Sequence, residues 1–290
     1  MTRPITVGVD GSPASQAAAD WAADEALRRG LPLRVVHAWR WEPLTVPVVN
    51  DREEQARWAQ SVVLEAEKRL RVRHPELEIT AEVLADEPGT GLVRANRDAE
   101  MLVLGSRGHG VFVGFLLGSY AQQVIAHVER PVVSVRAPQD TEPVPSGGEV
   151  VVGQQGSAED SEAVLRFAFE AAAARGVPVR AVRAWSLPPV FAYGTVPLRL
   201  VDEASGLEPQ EREQLAEALA PWREKYPEVE VREHVEIGTG SQVLLSQAVG
   251  ADLLVVGRRV RRAPIGARIG SVAHAALHHA RCPVAVVPHA

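Results

Sequence analysis

The stretch ITVGVDGSPASQAAADWAADEALRRGLPLRVVHAW, residues 5–39, joins two short runs of mostly β-branched residues through an alanine-rich segment. The two apolar runs predict strands and the segment between them predicts a helix. Ser12 suits the N-cap of that helix, Pro13 suits its first turn, and Gly30 suits the position just after its last turn. A strand, a helix and a strand in this order predict the βαβ unit of a parallel sheet.

The rest of the first half continues the same alternation. It predicts a charged helix over 51–74, a strand over 77–84, a short helix over 90–98, a strand over 99–106, a helix over 119–128 and a strand over 131–136. Alternating strands and helices favour an α/β fold in which a five-stranded parallel sheet carries helices on both faces.

The second half repeats the first. Residues 150–185 read VVVGQQGSAEDSEAVLRFAFEAAAARGVPVRAVRAW, LLVVGRRV (253–260) resembles MLVLGSRG (101–108), and Gly270-Ser271 matches Gly118-Ser119. A repeat of this length predicts two tandem domains, over 1–140 and 148–290. The segment 137–149, rich in proline, glycine and charge, is expected to be the linker.

Composition narrows the class of protein. The chain has 290 residues, a net charge of -6 and 46% hydrophobic residues, an ordinary globular balance that argues against wholesale binding to nucleic acid or an anionic membrane. No apolar run is long enough to span a membrane. The single cysteine, Cys282, and the absence of a secretory signal at residue 1 favour the cytoplasm.

Cys282 is expected to be a small buried residue, and no histidine or cysteine cluster has the spacing of a zinc site. His278 and His279 are expected on an exposed helix end.

Three segments of the first half should meet where ligands bind in such sheets, beyond the carboxyl ends of the strands. They are VGVDGS with Asp10, HAW after the second strand, and GSRGHG after the fourth. Gly105 and Gly108 would let main-chain N–H groups face an anion, and Gly118-Ser119 offers more at a helix N-terminus. Two such segments suit a polyphosphate, although either alone is also typical of a plain turn or cap.

The order strand, Gly-x2-Gly, nine residues, Gly-Ser, helix is more specific than its parts. With VGVDGS after the first strand, it makes both halves resemble the universal stress protein family, in its tandem form. The resemblance implies a flavodoxin-like, Rossmann-like fold in each half. For a half with the complete motif it implies ATP binding.

The resemblance also assigns site residues in the first half. The glycine loop and Ser119 would cradle phosphates, Asp10 would lie near the ribose, the phosphates or a magnesium ion, and the backbone around Ala38 would contact the adenine edge. Asp-Gly-Ser is equally a good turn and cap sequence, so both roles of Asp10 stay open. The full expected set is Gly8, Asp10, Ala38, Gly105, Arg107, Gly108, Gly118, Ser119 and Tyr120.

The second half departs from the motif at two positions. Val260 replaces the second glycine, and Gln155 replaces the Asp10 carboxylate, which weakens both phosphate approach and magnesium binding. Arginines in the same loop could hold phosphates instead, or form a solvated basic surface. A degenerate site is favoured; a second site would comprise Gly153, Gly257, Arg259, Gly270 and Ser271.

These patterns lead to one preferred function and two rivals. The preferred function is an ATP-binding regulator of the stress response, with a protein partner and little or no hydrolysis, and no catalytic residue is assigned. The rivals are a slow magnesium-dependent ATPase or nucleotidyl-transfer enzyme using Asp10, and a ligand-free interaction scaffold. Family members pair through the last strand, so the resemblance implies an internal pseudo-dimer through residues 131–136 and 283–288, and a homodimer of chains.

Overall fold

The computed structural model describes residues 2–41, 51–106, 119–137, 148–186, 207–260 and 269–290, with the backbone alone at residues 51, 119 and 120. The chain divides into two compact units. The described residues up to 137 form unit 1, and those from 148 onward form unit 2.

Unit 1 is a parallel sheet covered by helices on both faces. Its strands lie in the order β3-β2-β1-β4-β5, all parallel. Helices α1 and α2 pack against each other, as do α3 and α4. The elements in chain order are β1 (Ile5–Gly8), α1 (Pro13–Arg29), β2 (Leu33–Ala38), α2 (Asp51–Arg73), β3 (Ile79–Leu84), α3 (Pro88–Arg97), β4 (Met101–Ser106), α4 (Ser119–His127) and β5 (Val132–Arg136).

Unit 2 repeats this arrangement. Its strands lie in the order β10-β9-β6-β7-β8, again all parallel. The elements are β6 (Val150–Gly153), α5 (Ala158–Arg175), β7 (Val179–Trp185), α6 (Leu207–Lys225), β8 (Val231–Ile237), α7 (Gly240–Gln247), β9 (Leu253–Arg259), α8 (Ser271–His279) and β10 (Val284–His289). The predicted α/β fold with two doubly wound units is confirmed.

The predicted signals at the ends of α1 are confirmed. The Ser12 hydroxyl oxygen accepts the N–H of Ser15 at 3.2 Å, Pro13 opens the helix, and Gly30 closes it with φ of 61°. The sheet-facing side of α1 is made of alanines that are completely buried. Small side chains let the helix backbone come close to the strands, which decides the geometry of the candidate site.

Three local expectations can be compared with the structure. Cys282 is buried, as predicted. His278 is only 5% exposed, so its placement on an exposed helix end is wrong: it lies on the buried side of α8, and of the two histidines only His279 is exposed. Glu149, assigned to the linker, is also buried, and its carboxylate pairs with Arg180 at 3.0 Å. Residues 138–147 of that linker lie outside the described residues.

Candidate functional site

The topology of unit 1 fixes where a ligand crevice can form. β1 pairs with β2 on one side and with β4 on the other. The chain runs from β1 outward to β2 and β3, then returns across β1 to β4, so the strand order reverses between β1 and β4. Doubly wound sheets bind ligands beyond the carboxyl ends of the strands at such a reversal. Asp10 follows β1, and Gly105 lies near the carboxyl end of β4, both at this point.

Asp10 lies in an exposed turn that opens α1. Its Oδ1 accepts the N–H of Ser12 at 3.0 Å, and its own N–H donates to the Ser15 hydroxyl at 3.3 Å. This is the local turn that Asp-Gly-Ser sequences favour. The turn role of Asp10 is therefore present, and it holds the carboxylate just beyond the carboxyl end of β1.

Gly105 is where β4 and α1 come into contact. A Cβ atom on Gly105 would lie 2.5 Å from the carbonyl carbon and oxygen of Ala14 and 2.7 Å from the nitrogen of Ser15. Any larger residue would push the first turn of α1 away from the sheet, because the obstacle is backbone. The first glycine of the motif thus joins the Asp10 turn to the glycine loop.

Gly8 and Ala38 have packing roles that the sequence did not reveal. A Cβ on Gly8 would lie 2.9 Å from Cδ2 of Leu104 and 3.2 Å from Cδ2 of Leu92. Ala38, at the end of β2, belongs to a buried cluster with Leu84. The N–H of Trp39 donates to the Leu84 carbonyl at 2.9 Å, so this one N–H group next to Ala38 belongs to the sheet.

The rest of the expected phosphate cradle is only partly described. Ser119 begins α4, as predicted for a helix N-terminus at the second half of the motif. Arg107, Gly108 and Gly118, with the side chains of Ser119 and Tyr120, lie outside the described residues. Their roles stay predictions.

His37 is a residue at this crevice that sequence reasoning did not assign. It is only 7% exposed, and its Nδ1–H donates to the Val9 carbonyl at 2.7 Å, next to Asp10. Its ring meets the indole of Trp58 edge to face, with 5.4 Å between centroids. His37 Nε2 is buried without a hydrogen-bond partner among the described residues. One signal for this residue was present in the sequence: His37 begins the HAW segment at the end of β2.

Unit 2 fills the corresponding place with a polar network. Arg183 of β7 stands where unit 1 has His37 and is likewise 7% exposed. Its guanidinium donates to Oε1 of Gln154 at 2.5 Å, to the Gly156 carbonyl at 3.2 Å, and to Glu211 and Gln214 of α6. The first turn of unit 2 is thereby tied to β7 and α6 by side chains. Gln155, the counterpart of Asp10, is exposed.

The part of the glycine motif at the end of β9 also differs in unit 2. A Cβ on Gly257 would lie 2.8 Å from Nε2 of His289, so the imidazole covers Gly257. Its counterpart in unit 1, Gly105, meets helix backbone instead. The N–H of Val260, at the second-glycine position, donates to the His289 carbonyl at 2.7 Å. The N–H at this position of the motif is thus used by the end of β10. Gly153 packs against Leu244, whose Cδ2 would lie 3.1 Å from a Cβ there.

Hydrogen bonds, burial and neighbouring charges shift the pKa values of Asp160 and His289 in this part of unit 2. Hydrogen bonds from the Ser157 backbone and hydroxyl lower the pKa of Asp160, and the charges of Arg259 and His289 lower it further. Burial lowers the pKa of His289, and Arg259 adds to that shift, while a hydrogen bond to Ala290 and the charge of Asp160 oppose it. Burial also lowers the pKa of Arg258. A carboxylate therefore sits at the N-terminus of α5, where phosphate would otherwise be favoured.

The helix side of the motif survives in unit 2. Gly270 precedes α8 with φ of 88°, a backbone conformation that favours glycine, and its carbonyl accepts the N–H of His274 at 2.9 Å. Ser271 is the exposed first residue of the helix. Unit 2 thus keeps the helix N-terminus, while its strand ends are closed by its own side chains.

The profile of the universal stress protein family matches residues 1–136 and 148–288. The chain belongs to the universal stress protein family. The universal stress protein Rv2005c of Mycobacterium tuberculosis is 34% identical over 289 residues, covering 97% of this chain and 96% of the relative. The crystal structure of a universal stress protein from Archaeoglobus fulgidus covers 99% of this chain and 98% of its own, with a TM-score of 0.69 at 19% identity, which supports the fold alone. A shorter universal stress protein from Archaeoglobus fulgidus, solved in complex with dAMP, is 27% identical over 46% of this chain, with a TM-score of 0.35.

Both units of this universal stress protein match the family, so the changes in unit 2 are departures within one fold. The strand order is the same in both units. Unit 2 differs by Gln155 after β6, Arg183 within β7 and Val260 after β9. None of the described helices is both long and apolar enough to cross a membrane.

Proposed function

We propose that this universal stress protein binds ATP in unit 1 and works as a nucleotide-dependent regulator with little or no hydrolysis. The observation that carries the proposal is the contact of Gly105 with the first turn of α1. This contact brings the Asp10 turn and the start of the glycine loop to the same end of the sheet, at the strand reversal where doubly wound folds bind ligands.

The phosphates would lie between the two segments of the motif. Main-chain N–H groups of the glycine loop and of Gly118-Ser119 would face them, and the N-terminus of α4 adds a partial positive charge. Arg107 would add a guanidinium, which suits phosphate oxygens. The backbone around Ala38 would contact the adenine edge, and Tyr120 would line the same site.

A magnesium ion, if it accompanies ATP, would use Asp10. In the parts of the chain that the structure describes, no group of three or more histidine, cysteine or acidic side chains could hold a metal. The ion would take its remaining oxygens from the phosphates and water, which is common for magnesium bound with nucleotides.

Unit 2 is proposed to bind no ATP. The Val260 N–H is used by His289, the Asp10 position holds Gln155, and the Asp160 carboxylate occupies the N-terminus of α5. The Gly270-Ser271 helix end alone would hold ATP poorly, because it lacks the opposing segment. The duplicated chain would then carry one nucleotide.

Little or no turnover is proposed because the motif offers no clear general base for hydrolysis. Asp10 is assigned to the ribose, the phosphates or a magnesium ion, and its Oδ1 accepts the Ser12 N–H. A regulator needs only that a protein partner distinguishes the occupied from the empty state. Product formation in a single turnover would instead favour the slow ATPase or nucleotidyl-transfer enzyme.

The test is calorimetric titration of the full chain with magnesium–ATP, using Asp10→Asn and the matched variant Gln155→Ala. The asparagine side chain keeps an oxygen for the Ser12 N–H but loses the charge, so the turn should remain. We expect about tenfold weaker binding for Asp10→Asn, the usual scale for a charged hydrogen bond, and no change for Gln155→Ala. Unchanged binding by Asp10→Asn would remove Asp10 from the site.

The scaffold alternative is tested at Gly118. A Gly118→Glu variant should place a carboxylate against the phosphates and abolish binding. If the wild-type chain binds no adenine nucleotide with or without magnesium, and Gly118→Glu leaves its behaviour unchanged, the scaffold is the better account.

A further inference from the structure

An exposed aromatic side chain on α2 lies beside the Asp10 turn. Trp58 is 53% exposed, although it belongs to a helix that packs on the sheet. Large exposed aromatic side chains at the edge of a crevice are typical of binding surfaces. Burial in the core accounts for less than half of the surface of this residue.

Three contacts connect Trp58 and the next turn of α2 to the segment around Asp10. The His37 ring meets the indole edge to face at 5.4 Å, and its Nδ1–H donates to the carbonyl of Val9, the neighbour of Asp10. One turn further along α2, Cγ2 of Val62 lies 3.9 Å from the position of a Cβ on Gly11. Two successive turns of α2 therefore border the turn that holds Asp10.

His37 fixes this border in one geometry. It is nine-tenths buried, held at one nitrogen by the Val9 carbonyl and at its edge by the indole. Because Nδ1 carries the donated proton, Nε2 is an acceptor in the neutral ring, and it has no partner among the described residues. Nε2 is itself shielded from solvent, so the exposed indole beside the fixed His37 ring is the surface that fits a planar heteroaromatic ring.

Unit 2 has none of the three side chains that form this border, which are His37, Trp58 and Val62. The helices align through His74-Pro75 and Tyr226-Pro227, which places Gln210 opposite Trp58, Glu211 opposite Ala59 and Gln214 opposite Val62. Glu211 and Gln214 contact the guanidinium of Arg183, which replaces His37. The border with its aromatic side chains therefore occurs in unit 1, which keeps Asp10. In unit 2 polar side chains take the same positions.

We propose that Trp58 stacks on the base of the nucleotide bound in unit 1, with His37 as the residue that positions the indole. This inference rests on the proposed function and names the side chain that recognises the base. A stacked indole tolerates any planar base, so it would supply affinity for the nucleoside part, while the phosphate contacts belong to the glycine motif.

The test is titration of the full chain and its variants with magnesium–ATP, followed by calorimetry and by tryptophan fluorescence. Trp58→Phe keeps an aromatic face, whereas Trp58→Leu keeps only apolar cover. Trp41→Ala is the matched control, because Trp41 is 40% exposed and lies under the Arg52 guanidinium at 6.0 Å. We expect about tenfold weaker binding for Trp58→Leu, nearly normal binding for Trp58→Phe, and no change for Trp41→Ala.

The fluorescence readout separates stacking from a structural role. A base stacked on the indole should quench part of the emission when ATP binds, and Trp58→Phe should lose that quenching while it keeps its affinity. Wild-type affinity in Trp58→Leu, equal losses in Trp58→Phe and Trp58→Leu, or unchanged quenching in Trp58→Phe would overturn the inference while ATP binding stands. A wild-type chain that binds no ATP would overturn the proposed function and this inference together.

Discussion

Gly105 and Gly257 occupy the same place in their units but meet different neighbours. The space beside Gly105 is filled by backbone atoms of Ala14 and Ser15, whereas the space beside Gly257 is filled mainly by the His289 ring. A backbone obstacle cannot move without shifting a whole helix turn, but an imidazole can rotate. The same glycine therefore has different mechanical importance in the two units.

We expect Gly105→Ala to destabilise unit 1 by about 1–3 kcal/mol, the usual cost of overpacking, and to weaken ATP binding because α1 must shift. Gly257→Ala should fall at the lower end of that range, since mainly the His289 side chain has to move. Urea unfolding monitored by hydrogen exchange on β4 and β9 measures both. Equal losses at the two positions would contradict the assigned contacts.

His289 should make the stability of unit 2 depend on pH. Burial is the largest cause that lowers its pKa below the ordinary 6.5, so the folded state binds fewer protons than the unfolded chain. Stability from a neutral His289 is complete above about pH 6.5 and is lost as the pH falls below it. Thermal unfolding between pH 5 and 7.5 should show this loss, and His289→Asn should reduce it. A variant with an unchanged pH profile would exclude His289 as the cause.

At the scale of the elements, Arg183 connects three parts of unit 2. It joins β7 to the first turn after β6 through two acceptors and to α6 through two more. In unit 1 the corresponding position holds His37, which donates to the Val9 carbonyl and meets the Trp58 ring. The polar network therefore holds the first turn of unit 2 against β7 and α6.

We expect Arg183→Ala to cost about 3 kcal/mol of stability, because Glu211 keeps a partly buried carboxylate without its cation. Arg212→Ala is the control on the same helix: its pair with Glu208 is on the surface and should contribute under about 0.5 kcal/mol. Hydrogen exchange of α6 and β6 peptides should rise only in the Arg183 variant. A similar small effect in both variants would show that the network is not structural.

The strands, the helices and the caps of α1 were predictable because their signals are local. Ser12, Pro13 and Gly30 act on the backbone within one or two turns, so spacing alone identifies them. The contacts of Arg183, His289 and the buried His278 depend on residues far apart in the sequence. The sequence showed that unit 2 lacks Asp10 and the second glycine, but it could not show that its own side chains use the freed space.

At the scale of the whole molecule, duplication has left two units with one fold and different crevices. Unit 1 keeps an exposed turn with a carboxylate and an aromatic border, whereas in the described part of unit 2 Arg183 and His289 contact the corresponding strand ends. The expected pairing of the two units through their last strands stays a prediction. Cross-linking between residue 133 and residue 285 after cysteine substitution in a Cys282→Ala background would test it, and no cross-link would count against the pseudo-dimer.

The central claim is tested most directly by counting nucleotides. The full chain is saturated with magnesium–ATP, separated from free ligand and denatured, and the released nucleotide is identified and quantified per chain. The account predicts one ATP per chain, still intact, and none after Gly118→Glu. Two ATP per chain, or one that survives Gly118→Glu, would contradict the division of roles between the units.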